Sequence, residues 1–379
     1  MPKSHAPVYY ADYLRLEQLL SAQLPKSTEH GAPAHDEMLF IIVHQAYELW
    51  FKQILFELGS VAADFKSDYI DERSIGTAVA RLGRITEIQK VLIDQLRILE
   101  TMTPQGFLEF RDFLSPASGF QSVQFRLIEN LLGLSAAARL QYNHTSYHSR
   151  VTAEHQEILR ASELQPSLFD LVEKWLERTP FLEFESFNFW RSYEAAVKAM
   201  LQQDRQTIET NPTLSEEIKL RELQTLAKTE ESFSVLFNET QHDAIVAAGA
   251  WRLSYKATKA ALLIHLYRDE PVLHLPFKFL TLLVDIDELF TTWRQRHALM
   301  THRMIGTKIG TGGSSGHQYL RAAADTHKIF SDFFNLATFL IPRTALPLLP
   351  PDIRRRLGFF YTAQAAEHGS ASGANPNHV

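Results

Sequence analysis

Hydrophobic residues recur at helical spacing along almost the whole chain, and residues 35–58 form the most apolar of these stretches. Positions 38–43 within it are apolar on every side of a helix, which is typical of a helix enclosed by protein. Two acidic residues precede them and favour a helix start there, because carboxylates stabilise the positive end of the helix dipole. We therefore predict a long buried helix that ends near Gly59.

The same spacing of three and four residues predicts further helices along the chain. They cover residues 9–23, 74–101, 103–133 with an interruption at Pro116, 166–237 with a break at Asn211, 243–267, 277–304 with a stop at Gly306, 317–340 and 351–363. Strand signals are almost missing, no repeat appears, and no linker separates two hydrophobic cores. The prediction is an all-α fold with one large helical domain over residues 35–363, an N-terminal arm and helix over 1–34, and a disordered tail over 364–379.

Composition narrows the class of protein. The chain has 379 residues, of which 45% are hydrophobic and 22% charged, as expected of a soluble globular protein with a sizeable core. Its net charge of -6 and its scattered Lys and Arg argue against a nucleic-acid partner. No apolar run reaches the length of a membrane span and no signal-peptide region is evident, so we expect a cytoplasmic protein without a membrane partner. The absence of cysteine excludes disulfides, thiolate metal ligands and cysteine nucleophiles.

His44 lies in the middle of the most hydrophobic stretch, four residues after Phe40 and therefore on the same helix face. Burial of an imidazole costs free energy unless the ring is hydrogen-bonded or ligated. One interpretation is a core histidine that is satisfied by a backbone carbonyl. The other is a polar group that faces a ligand or a metal-bound substrate in an apolar pocket. The stretch alone leaves both interpretations open.

A second histidine, His297, shares a helix face with Trp293, Met300 and Met304. A structural role explains each of the two histidines when it is taken alone. Together, in a helical protein without cysteine, they favour a haem hypothesis, because a single neutral imidazole on a helix is enough to hold haem iron.

Three arginines are candidates to bind carboxylates. Arg111 stands among phenylalanines in FLEFRDFL, where it could form an internal ion pair or bind a substrate carboxylate with its two-pronged guanidinium. Arg294 and Arg296 lie close to His297 and could pair with haem propionates, although such arginines are usually exposed.

A glycine-rich loop, GTKIGTGGSSG, follows the predicted helix that ends at Gly306. It matches neither GxxxxGK[ST] nor GxGxxG and does not follow a strand, so it fails as a phosphate-binding loop. Its hydroxyls and amides could fold over a polar ligand group, and a plain flexible connector is the alternative.

Four stretches together resemble the tryptophan 2,3-dioxygenase family. They are HDEMLFIIVHQAYELWFKQILFEL, FRDFLSPASGFQSVQFR, WRQRHALMTHRMIGTK and GTGGSSG, in the family's order and spacing. The resemblance runs from about Tyr9 to about Pro351 and is far more specific than any single short pattern. It implies a haem pocket between long helices and a homotetramer built as a dimer of dimers, in which the N-terminal arm reaches a neighbouring subunit.

The resemblance also assigns roles to individual residues. His297 would be the proximal haem ligand and His44 the distal histidine at the catalytic position. The implied substrate-binding residues are Phe40 with its neighbours Ile41, Ile42 and Val43, then Phe107 at the pocket wall, Arg111 at the carboxylate, Ser118 and Gly119 beside the oxygen site, Thr311 at the amino-acid group, and Tyr10 and Tyr13 from a neighbouring subunit. His317 departs from the family, in which tyrosine usually follows GTGGSSG.

The implied cofactor is haem b, one per subunit, and the implied substrates are L-tryptophan and O2. Both oxygen atoms would enter the indole 2,3 bond to give N-formyl-L-kynurenine, the first step of tryptophan degradation by the kynurenine pathway. His44 would orient the indole N–H instead of acting as an obligatory base.

Three alternatives to this function remain open. The first is the same chemistry on another indole amine. The second is a haem-binding sensor or carrier without turnover. Arg111 and Thr311 argue against it, because a gas sensor needs no group that binds an amino acid. The third is a purely structural helical assembly.

Overall fold

The computed structural model describes residues 6–135, 138–140, 147–179, 183–184, 187–308 and 317–358. The α-helices are α1 (Tyr10–Leu14), α2 (Leu16–Leu20), α3 (Lys26–Glu29), α4 (Asp36–Phe65), α5 (Glu72–Leu99), α6 (Pro104–Arg111), α7 (Val123–Leu132), α8 (Ala153–Glu163), α9 (Leu168–Glu177), α10 (Phe189–Thr210), α11 (Glu216–Phe237), α12 (Glu239–Ala247), α13 (Tyr255–Leu266), α14 (Pro271–Ile305), α15 (His317–Thr326), α16 (Ser331–Asn335) and α17 (Pro351–Leu357). Short 3-10 helices cover Asp112–Leu114, Gly119–Gln121, Tyr147–Arg150, Leu336–Phe339 and Arg343–Ala345. The antiparallel strands β1 (Glu183–Phe184) and β2 (Phe187–Asn188) have two residues each. The predicted all-α class is confirmed.

The long helices α4, α5 and α14 form the centre of the molecule. Helix α14 packs along α5, α5 packs along α4, and α7 and α15 close the two sides. Side chains with no solvent exposure line these contacts, among them Ile54, Leu82 and Leu283. Phe65 at the end of α4 stacks on Phe279 of α14, with ring centroids 4.8 Å apart. Because each long helix buries an apolar face against two others, they share one continuous core.

Helix α4 continues beyond the end that the sequence predicts. Gly59 lies inside the helix, and Val61, Ala62 and Phe65 in the following turns are buried in the core. Burial of these apolar side chains offsets the roughly 1 kcal/mol that a glycine costs inside a helix. Tertiary packing therefore overrides the local stop signal.

Two predicted helices are broken at residues with positive φ. The stretch 9–23 divides into α1 and α2 at Arg15, whose φ is 54°. The stretch 243–267 divides into α12 and α13 at Gly249, whose φ is 74°. The predicted stop at Gly306 is confirmed, because α14 ends there with a φ of 61°.

Gly133 ends α7 and allows a close approach to α9. Its φ is 113°, and a Cβ atom here would lie 2.7 Å from Ser167 Oγ and 2.8 Å from Phe169 Cβ. Only glycine combines that backbone conformation with that proximity. The fold thereby fixes the position of α7, which carries several cavity residues.

Within the described residues, no helix has the length and apolar character needed to cross a membrane. The predicted tail over 364–379 and the end of the predicted helix over 351–363 lie outside the described residues.

Candidate active site

A cavity of about 640 Å³ lies between α4, α6, α7, α14 and α15, and we call it the central cavity. Its walls are mostly apolar, with a minority of charged and hydroxyl side chains. The described residues that line it include Phe40, Ile41, His44, Gln45, Tyr47, Phe51, Met102, Phe107, Arg111, Ser118, Gly119, Phe125, Arg126, Glu129, Trp293, Arg294, His297, Met300, Met304, Tyr319 and His327. An apolar enclosure with a few polar groups is typical of a site for a cofactor or an aromatic substrate.

The cavity brings most of the predicted site residues together. These are Phe40, Ile41, His44, Phe107, Arg111, Ser118, Gly119 and His297. Two neighbours of Phe40 lie elsewhere: Ile42 is exposed on the outer face of α4, and Val43 belongs to the core behind it. Thr311 lies outside the described residues. Tyr10 and Tyr13 are exposed on α1 and are not among the described residues that line the cavity of their own chain.

His297 lies on α14 with Trp293, Met300 and Met304, and all four side chains line the cavity, as their spacing predicts. The imidazole stacks on the Trp293 ring, with centroids 5.3 Å apart. Its Nδ1 atom is buried and has no hydrogen-bond partner among the described residues. Burial, with a smaller contribution from His44, lowers the pKa of His297 to about 4. The ring is therefore neutral at physiological pH, which is the form that ligates a metal.

His44 lies on α4, lines the central cavity and is a solvent-exposed residue in the isolated chain. Its Nδ1 atom is 2.7 Å from the carbonyl oxygen of Phe40, one turn earlier. Burial lowers the pKa of His44 below its ordinary value of 6.5, against the opposing effects of this hydrogen bond and of Glu48. Because Nδ1 must carry the proton to donate to a carbonyl, Nε2 is left as a hydrogen-bond acceptor.

Aromatic rings stand beside His44 and form one end of the cavity. The Phe40 ring lies 4.1 Å from the His44 ring, 5.7 Å from Phe107 and 5.5 Å from Phe110. Phe110 is fully buried and fixes α6 against this cluster. A flat ligand could pack against these aromatic rings. His44, which lies beside them, would offer it a polar group.

Arg111 is the last residue of α6, and its side chain lines the cavity beyond Phe107. The helix begins at Pro104, and the side chain of Thr103 caps it by accepting from the Gly106 N–H at 3.0 Å. Helix α6 packs against α4 and α14, the helices that carry His44 and His297, and Arg111 lines the same cavity as both histidines. A two-pronged donor in this position suits a carboxylate.

Residues 118–121 and Gln45 of α4 also line the cavity. Gln121 Oε1 accepts from the Ser118 N–H at 3.3 Å, and the Phe120 ring contacts Tyr319 with centroids 5.0 Å apart. Gln45 accepts from the Gln23 amide at 2.6 Å and donates to the Ala22 carbonyl at 3.0 Å. These two hydrogen bonds attach the N-terminal segment beside His44.

A buried ionic cluster surrounds Glu129, which we call the Glu129 cluster. Arg126 Nη1 and Arg139 Nη1 each donate to Glu129 Oε2 at 2.7 Å, and Arg294 Nη2 donates to Oε1 at 3.0 Å. His327 Nδ1 lies 3.6 Å from Oε1, while its Nε2 accepts from the Leu140 N–H at 3.2 Å. Burial alone would raise the pKa of Glu129, but the guanidinium groups and His327 hold it well below its ordinary value. Burial lowers the pKa of His327, so its ring is neutral.

The sequence profile of the tryptophan 2,3-dioxygenase family matches residues 2–340 of this chain. The chain belongs to that family. A tryptophan 2,3-dioxygenase of Bdellovibrio bacteriovorus is 56% identical over 357 residues, which are 94% of this chain and 99% of that relative. The enzyme of the same name from Dictyostelium discoideum is 51% identical across 94% of this chain and 89% of its own. The Xenopus tropicalis enzyme is 49% identical across 96% and 89%.

The two arginines beside His297 lie in different environments in this member of the tryptophan 2,3-dioxygenase family. Arg294 is buried in the cavity wall as part of the Glu129 cluster. Arg296 points elsewhere and pairs with Glu100 at 3.4 Å. Arg126 and Glu129 are not among the predicted site residues, although a charged pair three residues apart in the apolar helix FQSVQFRLIEN indicates a buried ion pair.

Proposed function

We infer that this chain is a haem-dependent dioxygenase that converts L-tryptophan and O2 to N-formyl-L-kynurenine. Both oxygen atoms enter the product as the indole C2–C3 bond breaks, so the reaction consumes no external reductant. Relatives that carry the name tryptophan 2,3-dioxygenase cover nearly the whole chain. The observation that carries the inference is that one cavity gathers His297, His44 and Arg111.

The residues present fit a haem group. His297 offers a neutral imidazole to the cavity, and the unpartnered Nδ1 atom shows that no hydrogen bond to a described residue diverts the ring. Trp293 and the methionines beside His297 supply apolar walls for a porphyrin. When bound, haem b supplies the redox chemistry that O2 requires.

The side chains around His44 would bind and orient the indole. The aromatic rings of Phe40 and Phe107 enclose the flat ring system, and His44 Nε2 accepts the indole N–H. A neutral imidazole fixes the indole without removing its proton, so His44 is an orienting catalytic residue and not an obligatory base. The apolar enclosure also excludes water from the reacting carbon atoms.

Arg111 would bind the substrate carboxylate in a bidentate manner, and Thr311 would contact the same amino-acid group. With the indole edge fixed at His44 and the carboxylate fixed at Arg111, the substrate has one orientation in the cavity. The loss of rotational freedom on binding lowers the barrier because C2 and C3 are already aligned for reaction.

We also propose that the chain forms a homotetramer. Ile42, Leu49 and Phe56 lie seven residues apart on the outer face of α4 and are 49%, 54% and 73% exposed. Val91 and Ile98 form a similar exposed pair on α5. An apolar stripe of this extent on two adjacent helices is typical of a subunit interface. Sedimentation should give four subunits, and Phe56→Asp should reduce that number, whereas Tyr69→Asp on an exposed turn should not.

The decisive test of the reaction is an absorbance assay on purified, haem-loaded and reduced protein with L-tryptophan in air. We expect formation of N-formyl-L-kynurenine and a shift of the haem absorption band when tryptophan binds. Incubation under 18O2 should label the product with two heavy oxygen atoms. A haem spectrum without product from tryptophan or from other indoles would support a sensor, and a protein that binds no haem would contradict the proposal.

A further inference from the structure

The Glu129 cluster contains more positive than negative charge. Three guanidinium groups face the Glu129 carboxylate and His327 is neutral, so positive charge is in excess, although the buried Asp287 carboxylate also attracts Arg294. Arg126, Glu129 and Arg294 are less than 10% exposed and line the central cavity. The Nε atoms of Arg126 and Arg139 are buried without a hydrogen-bond partner among the described residues. Uncompensated buried charge is costly, so the cluster requires an anion.

We propose that Glu129 is a positioning residue, which gathers Arg126, Arg139 and Arg294 into a buried site of net positive charge that selects a cofactor with two carboxylates. The inference rests on the proposed function and deepens it, because it specifies which peripheral groups the porphyrin must carry. A dicarboxylate balances the excess charge, whereas a neutral porphyrin leaves it uncompensated.

The architecture explains why one carboxylate can organise the site. Both Glu129 oxygens are occupied: Oε2 by two guanidinium groups and Oε1 by Arg294. The partners come from α7, from the segment near residue 139 and from α14, and His327 joins the end of α15. Arg294 precedes His297 by three residues on α14, so Glu129 also fixes the face of the helix that carries the candidate ligand.

Arg139 contributes positive charge to the cluster without lining the central cavity. Arg139 is not among the described residues that line the cavity, and its guanidinium lies 4.4 Å from the Tyr147 ring centroid. It therefore acts on a cavity ligand through Glu129 and through its charge. Removal of Arg139 lowers the excess positive charge by one, and removal of the Glu129 charge raises it by one.

In the first test, the apoprotein is titrated with haem and, separately, with haem dimethyl ester. The change in the haem absorption band measures binding. We expect the ester to bind at least about 10-fold more weakly, since hydrogen bonds to charged groups are lost. Equal affinity for the two porphyrins would overturn the charge-matched site while leaving the proposed dioxygenase function intact. Absence of haem binding would contradict both proposals.

The second test measures how far haem raises the melting temperature of three variants. Arg139→Gln should show a smaller haem-induced rise than the wild-type protein, because less charge remains to be compensated. Glu129→Gln should lower the melting temperature of the apoprotein severely, and haem, but not its dimethyl ester, should restore much of it. Glu100→Gln, which breaks only the partly exposed pair with Arg296, is the matched control and should behave as the wild type.

Arg139→Gln and Glu129→Gln together distinguish a positioning role of Glu129 from a general loss of folding. If Glu129→Gln fails to fold, the Arg139→Gln comparison and the ester titration still decide the question. An Arg139→Gln protein whose haem-induced rise equals that of Glu100→Gln would overturn the proposal. Recovery of Glu129→Gln by the diester as well as by haem would do the same.

Discussion

The Nδ1 atom of His44 lies 2.7 Å from the carbonyl oxygen of Phe40, one helical turn earlier on α4. This contact satisfies the imidazole with a backbone group and at the same time leaves Nε2 free of a proton on the side of the cavity. The two interpretations of His44 that the sequence leaves open are therefore compatible. The backbone hydrogen bond fixes the tautomer that an indole N–H donor requires.

We expect the activity to persist below the ordinary histidine pKa. Burial lowers the pKa of His44 from 6.5, so the ring stays a neutral acceptor as the pH falls through that value. The kcat/KM for tryptophan should stay level from pH 8 to below 6.5 and decline only when His44 gains a proton. A decline centred at 6.5 or above in the pH profile, absent from His44→Asn, would contradict this assignment.

His297→Ala should abolish stoichiometric haem binding. The imidazole is the candidate axial ligand, and alanine offers no donor to iron. Haem content per subunit and the haem absorption spectrum measure the loss. His302→Ala, an exposed histidine on the same helix, is the control and should retain the cofactor. A His297→Ala protein with full haem and a normal spectrum would remove His297 as ligand.

Arg111→Lys should lower kcat/KM for L-tryptophan on the order of 10- to 100-fold, since a point charge replaces a two-pronged donor at the carboxylate. Tryptamine, which lacks the carboxylate, provides the matched substrate. Whatever residual turnover or binding it shows should be nearly the same in wild type and variant. Similar losses for both compounds would indicate a structural role for Arg111 instead.

The buried carboxylate of Asp287 should make part of the stability depend on pH. Its Oδ2 accepts from the Ile329 and Phe330 N–H groups at 2.9 Å each, and burial raises its pKa above 3.8 in spite of these bonds. The folded state therefore binds this proton more tightly than the unfolded state. As the pH rises from 3.8 through the raised pKa, this group lowers the free energy of unfolding.

Asp287→Asn removes that titration and keeps an oxygen acceptor. Urea denaturation measures the free energy of unfolding of the variant and of the wild type. The difference, variant minus wild type, should increase as the pH rises through this window, because only the wild type loses stability there. Asp269→Asn changes an exposed carboxylate that pairs with Arg343 and serves as the control. A difference between Asp287→Asn and wild type that does not vary with pH would contradict the prediction.

Helical periodicity predicts most of the fold because each long helix buries an apolar face. It mislocates the ends wherever tertiary packing decides them, as at Gly59, where buried residues continue α4. It also misses the breaks at Arg15 and Gly249, since a backbone with positive φ leaves no hydrophobic signal.

The candidate site, like the fold, is predicted from the sequence only in part. The motifs that resemble the family identify His44, His297 and Arg111, and the spacing on α14 places Trp293 and His297 on one face. Pairing between distant segments cannot be deduced from periodicity, and the Glu129 cluster depends entirely on such pairing. The spacing of Arg126 and Glu129 indicates a helical ion pair, but nothing local indicates the partners from residues 139 and 294.

The wide separation of these partners along the chain determines when the site can form during synthesis. Arg126 and Glu129 leave the ribosome long before Arg294, His297 and His327 do. Until α14 has been made and has packed against α5, the nascent chain has neither the candidate iron ligand nor the third arginine. If the chain binds haem as proposed, capture of the cofactor is then a late event, and we expect a chain that stops short of residue 294 not to compete with the finished protein for haem.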